Sequence, residues 1–213
     1  RMIQAERIPL LRGEGRFVYV YADDNPRTPR EDGGFPKTLP AVGIGPSGSF
    51  GFAMTHTPSN GAPEGDGWNL LGNPFDEPLD WDLGWTRTDV SNSVYVWDPG
   101  YDGGGYRVWN GSEGSLTDGI IPRGLAFWVQ AASPSAELRA PADARVFSAP
   151  LQSATPGTTV ALRLQSIGRP GLATDAWVTF QEGSAEGVDG YDAWVLTPLV
   201  QNYVSLGTAS PVL

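Results

Sequence analysis

Apolar and polar positions alternate over short runs along this chain. RFVYVY (16–21), TLPAVGI (38–44), SFGFAM (49–54), residues 67–72, SVYVW (93–97) and GYRVW (105–109) are rich in β-branched or aromatic residues. So are LAFWVQA (125–131), residues 136–140 and 144–148, TTVALRLQ (158–165), TDAWVTFQ (174–181), YDAWVLT (191–197) and NYVSL (202–206). Gly, Pro, Asn, Asp or Ser separates most neighbouring runs, which is the signature of strands joined by turns. No window of twelve or more residues keeps a helical period free of Gly and Pro. The pattern predicts an all-β chain, an antiparallel β-sandwich of jelly-roll or Ig-like type. The small, Pro-containing, uncharged stretch SAPLQSATPG (148–157) marks a boundary. It divides the chain into a sandwich module at 1–147 and a second unit at 148–213, the two packed together. The second unit holds about four strands, thin for an independent sandwich, and is expected to be incomplete.

Composition sharpens this picture. Gly (28) and Pro (19) are abundant enough for many turns, while 8 Trp, 8 Phe and 7 Tyr supply the apolar surface of a core. A net charge of −10 repels polyanions, so nucleic acid is not an expected partner, nor is an anionic membrane surface. No apolar run is long enough to span a bilayer, so membrane insertion is not expected. Of the 14 basic residues only Lys37 is a lysine. With no Cys, disulfides and thiolate metal sites are excluded.

The catalytic repertoire is narrow. His56 is the only histidine, so any Ser/His/Asp arrangement must use it, and a metal site built on several histidines is impossible. The nearest serines, Ser47 and Ser49 in GPSGSFG, do not form a nucleophile elbow. The acids lie mostly in turns, where Asp and Gly are at home. Two acidic loops offer hard oxygen ligands for Ca²⁺: Asp98 with Asp102, and Asp189 with Asp192. Neither has EF-hand spacing. Asn110-Gly111-Ser112 matches the N-glycosylation acceptor pattern.

Aromatic residues are the densest feature. Tyr95, Trp97, Tyr101, Tyr106, Trp109, Phe127 and Trp128 fall within 34 residues. Alternation puts Tyr95 and Trp97 opposite Val94 and Val96, and Tyr106 and Val108 opposite Arg107 and Trp109. One face of this hairpin is core. The other is either buried between layers or an exposed platform of Trp97, Tyr101 and Trp109 on which sugar rings stack. In GWNLLGNPFDEPLDWD (67–82), Gly72-Asn73-Pro74 reads as a tight corner, with Trp68, Phe75 and Trp81 plugging the sandwich end beneath it.

The ordered set GWNLLGNPFDEPLDWD, SVYVWDP, GGYRVWNG, DGIIPRGLAFWVQA and DAWVTFQEGSAEGVDGYDAWVL resembles modules of large secreted surface proteins of Bacteroidetes-type bacteria, substrates of type IX secretion. The resemblance implies a β-sandwich piece of a longer protein at the cell surface, with no catalytic residues to carry over. The expected function is a non-catalytic structural or interaction module serving adhesion, assembly or display. Its partners are other domains or copies reached through sheet edges. A carbohydrate-binding module is the alternative, and a hydrolase domain the third reading.

Overall fold

The computed structural model describes residues 11–17, 45–58, 65–101, 104–146, 158–165 and 173–180. Among these described residues eleven strands follow in order: β1 (Phe50–Phe52), β2 (Trp68–Gly72), β3 (Leu79–Asp80), β4 (Thr86–Thr88), β5 (Val94–Asp98) and β6 (Gly105–Trp109), then β7 (Ile120–Ile121), β8 (Ala126–Gln130), β9 (Glu137–Ala140), β10 (Thr158–Gln165) and β11 (Ala173–Phe180). Short 3-10 turns occupy Thr117–Gly119 and Ala142–Ala144. Every strand pairing is antiparallel. The fold is all-β and sandwich-like, as the alternation predicts. Among the described residues no helix is long and apolar enough to cross a membrane.

A four-stranded sheet, β2-β8-β5-β6, faces a three-stranded sheet, β1-β9-β4, with the β3-β7 pair beside them. Alternation decides the faces. Leu71, Val94, Val96, Trp109, Phe127 and Val129 of the larger sheet point inward to meet Phe52, Leu138 and Ala140 of the smaller. Phe52 touches Phe127 edge-on at 5.7 Å and stacks on Trp85 at 5.9 Å, so aromatic rings join the two layers directly. Trp81 is fully buried at the centre, 4.7 Å from Trp85 and 6.4 Å from Phe127. Its indole N–H donates to Asn92 O at 2.6 Å, and the Arg87 guanidinium lies 4.5 Å from its ring centre.

The Gly-Asn-Pro corner forms as its sequence suggests. Asn73 Oδ1 accepts the Phe75 N–H at 3.0 Å, and its Nδ2 donates to Glu77 O and Pro122 O. Phe75 and Trp81 are buried beneath it. Trp68 is not. The pleat of β2 turns Asn69 and Leu71 inward, leaving Trp68 and Leu70 half-buried on the outer face. Asn69 is the unexpected inward residue. Its amide bridges Thr55 and Gly67, accepting from Thr55 N–H (2.9 Å) and Oγ1 (3.0 Å) and donating to Thr55 O and Gly67 O (both 2.8 Å). All its polar atoms are thereby satisfied inside the sandwich, which removes the penalty of burying an amide.

Both outer strands of the four-stranded sheet are flanked by the chain itself. Along β2, Gly15 N–H donates to Leu70 O and Gly72 N–H to Gly13 O. Along β6, Leu116 N–H donates to Val108 O, and Val108 N–H to Ser115 Oγ.

Of the run 144–148, expected as a strand, Ala144 closes the second 3-10 turn, Arg145 bridges Leu79 and Val146 lies outside any strand, while 147–148 fall outside the described residues. Arg16 and Phe17 of the run 16–21 lie outside any strand. The rest of that run, the runs 38–44, 191–197 and 202–206, and the linker 148–157 fall outside the described residues. Beyond residue 148, β10 and β11 pair over their whole length, from Thr158 opposite Phe180 to Gln165 opposite Ala173.

Candidate functional site

The β5-β6 hairpin is the most chemically varied part of the described surface. Its register pairs Trp97 with Tyr106 and Val94 with Trp109. Trp97 and Tyr106 therefore share the outer face, their rings perpendicular at 5.2 Å. Trp109 shares the inner face with Val94 and is buried, its indole N–H reaching both oxygens of Asp82 at 3.0 and 3.1 Å. The row Trp97, Tyr101, Trp109 does not form, because two of its members lie on opposite sides of one sheet. Tyr101 is also engaged, with the Arg107 guanidinium 4.3 Å from its ring centre. The outer face carries a different aromatic set. Trp68 packs edge-on against Tyr95 and Trp128, and Phe17 lies 6.1 Å from Trp128. These neighbours come from β2, β5, β8 and the segment before β1, so only the sheet order reveals them.

The turn after β5 is held by charge. Asp98 Oδ1 accepts the Gly100 N–H at 2.8 Å, and Oδ2 accepts Arg107 Nε at 2.7 Å. Arg107 also donates to Ser115 O at 3.1 Å. The Arg107 hydrogen bond, helped by the Gly100 N–H, holds the Asp98 carboxyl below the usual aspartate range. With one oxygen bonded to a guanidinium and the other to a backbone N–H, Asp98 holds its own turn to β6. Asp102, Asp189 and Asp192 lie outside the described residues. Among the described residues no three His, Cys, Asp or Glu side chains gather into a metal-binding group.

Asp82 behaves in the opposite way. Desolvation of its carboxylate pushes its pKa up, and nearby Asp80 and Asp118 add to the rise against the Trp109 hydrogen bond and Arg87. The two acids predict opposite responses. A lowered folded-state pKa stabilises above the unfolded value and is lost as pH falls through the folded one, while a raised pKa costs stability at neutral pH and gives it back in acid. Asp98→Asn is expected to lower the melting temperature at neutral pH, with the deficit shrinking as pH falls through the lowered folded-state pKa. Asp82→Asn, which keeps an acceptor for Trp109 without the charge, is expected to leave the neutral-pH melting temperature unchanged or higher. Melting curves of both variants against pH check this. A neutral-pH loss for Asp82→Asn as large as that for Asp98→Asn would contradict the assignment.

Beside Asp98 and Arg107 an open groove of about 570 Å³ runs between the hairpin and the β7–β8 turn. Trp97, Pro99, Leu116, Ile120, Pro122 and Leu125 give it a largely apolar lining. Leu125 keeps 43% of its surface in water.

His56, Ser47, Ser49 and Asp89 lie apart from this groove. The His56 ring lies over Gly67, and its Nδ1 is buried without a hydrogen-bond partner. Ser49 Oγ accepts from Arg139, and Ser47 O from Arg145. Asp89, in a left-handed conformation at φ 52°, accepts from Ser133 and Ser135.

Comparison with protein-family models, with curated proteins and with solved structures found no match to this chain.

Proposed function

We propose that the chain is a non-catalytic interaction module of a secreted cell-surface protein, docking a protein partner through the groove beside Trp97. One observation carries this reading: an exposed apolar groove lies next to ionic groups that are already neutralised by each other. Asp98 and Arg107 fix the groove's rim and leave no free acid–base pair there, while Leu125 offers apolar surface of the kind partner surfaces cover. The motif resemblance to bacterial surface modules supports the same assignment and, with it, a location outside the cell. A carbohydrate role is less well served, since Trp97 stands perpendicular to Tyr106 and Arg107 covers Tyr101.

Leu125→Glu tests the reading. The side chain is exposed, so stability is expected to change by no more than about 0.5 kcal/mol. Surface plasmon resonance of the immobilised chain is expected to detect saturable binding to isolated bacterial surface proteins, and Leu125→Glu to abolish it. Saturable binding to a soluble oligosaccharide, lost in Trp97→Ala and kept in Leu125→Glu, would replace this reading with the carbohydrate one.

A further inference from the structure

The turn that follows β6 holds one side-chain amide in an unusual way. Asn110 Oδ1 accepts two backbone N–H groups, from Ser112 at 3.0 Å and from Glu113 at 2.8 Å. Asn110 N–H donates to Glu113 O at 3.1 Å, and Trp109 bridges Gly114, so the turn is anchored to the end of β6. The next residue is Gly111, exposed and at φ +91°. A Cβ built there would meet nothing closer than 3.7 Å. The nitrogen after Asn110 therefore belongs to the least hindered residue type, and the amide carbonyl before it points into a pair of N–H donors. Two convergent backbone N–H groups on a carbonyl oxygen are the arrangement that stabilises the oxyanion of acyl transfer.

We propose that Asn110 is a site of spontaneous deamidation, with its own turn serving as the oxyanion hole. The Gly111 backbone nitrogen loses its proton to solvent base and attacks Asn110 Cγ, forming the N–Cγ bond. The carbonyl electron pair moves onto Oδ1, where the Ser112 and Glu113 N–H groups hold it. As the carbonyl reforms, the Cγ–Nδ2 bond breaks and the nitrogen takes a proton and leaves as ammonia. Water then adds to either carbonyl of the resulting five-membered imide and opens it. The products are aspartate, or isoaspartate with the chain rerouted through the side-chain carbon. The net change is the uptake of one water and the release of one ammonia, with no oxidation or reduction.

The position gives the reaction consequences. Isoaspartate lengthens the backbone inside the turn that delivers Ser115 and Leu116 to the side of β6, and Leu116 is buried in the core. Either product sets a new carboxylate next to Glu113. Gly111 itself faces Asp82, whose Oδ1 lies 3.9 Å from where a Cβ would stand.

The experiment compares the intact chain with a synthetic peptide spanning residues 107–114, both incubated in the same mildly alkaline buffer made with heavy-oxygen water. Peptide mapping by mass spectrometry reads amide-to-acid conversion and label uptake at Asn110. The folded chain is expected to convert roughly tenfold faster than the peptide, a modest share of the ~10²-fold that one oxyanion donor contributes in enzymes. Ser112→Pro removes one donor and is expected to bring the rate down to that of the peptide. If that variant does not melt cooperatively, the comparison of wild type with peptide decides alone. Conversion slower in the folded chain than in the peptide would overturn the proposal, because the turn would then be holding Cγ away from the Gly111 nitrogen. A glycan found on Asn110 would overturn it as well. Asn60-Gly61, the same dipeptide outside the described residues, is read in the same digest.

Discussion

Trp81→Ala is expected to be among the most destabilising single truncations in this chain. The ring is fully buried, and two aromatic contacts, a hydrogen bond and a cation–π contact end on it. Trp85 and Phe127 lose their contact at 4.7 and 6.4 Å. Asn92 O loses the indole N–H, and Arg87 loses the ring 4.5 Å from its guanidinium. Arg87 also donates to Trp81 O, a bond the substitution leaves in place, so the cation stays at the edge of an empty space. Desolvation already lowers the Arg87 pKa, and stranding the group beside a cavity worsens its position. Truncating a buried Trp costs about 3–5 kcal/mol. For a chain of this size that corresponds to a fall in melting temperature on the order of 10 °C. Differential scanning calorimetry checks it, and a shift of a degree or two would show that the centre of the core lies elsewhere. Trp68→Ala provides the contrast. Its half-buried ring lies on the outer face, and its loss is expected to cost clearly less.

The second large effect comes from adding a single methyl group. Gly67 has φ +69°, and a Cβ built on it falls 1.9 Å from Ala131 O. That distance is far inside van der Waals contact, and the obstacle is backbone in the strand pairing, so no side-chain rotation relieves it. Ala131 N–H donates to Gly67 O at 2.8 Å, and Asn69 Nδ2 reaches the same oxygen. Gly67→Ala must therefore open the β2–β8 junction and disturb the buried Asn69 bridge together. A loss of about 3–4 kcal/mol is expected, at the severe end of single substitutions. Gly124→Ala is the control. It shares a positive φ of 70° but has nothing within 4 Å, so only the conformational penalty of about 1 kcal/mol applies. Equal melting temperatures for the two variants would mean that the clash at Gly67 is absorbed by movement.

The strand pattern was legible in the sequence wherever aromatic and β-branched residues alternated over five positions or more. β2, β5, β6, β8 and β10 fall within a residue or so of the runs that signal them. β3, β4 and β7 were not, because two or three residues carry no period and their pairing is set by the neighbours they meet. The Asn73 corner could be read from its chemistry, since Asn and Pro make local bonds and angles that depend little on the rest of the chain. The aromatic hairpin could not. Trp97 stands two positions before the loop and Trp109 five after it, and only the register of Trp97 opposite Tyr106 separates them onto two faces. Asn69 was illegible for a similar reason. Nothing local distinguishes a polar residue facing solvent from one whose four partners arrive from Thr55 and Gly67. Asp98 looked like a cation ligand because its partner, Arg107, reaches it only when the hairpin closes.

The four-stranded sheet ends in its own chain on both sides, and this governs how the protein can aggregate. Leu70 O, Gly72 N–H and Val108 N–H and O already have partners from residues 13–15 and 115–116. A strand arriving from another molecule finds these positions occupied, so polymerisation by strand addition cannot start there while both flanking segments stay attached. Nucleation at this sheet requires one of them to peel away first. Exposure of this edge is therefore set by the local detachment of a few surface residues rather than by melting of the core.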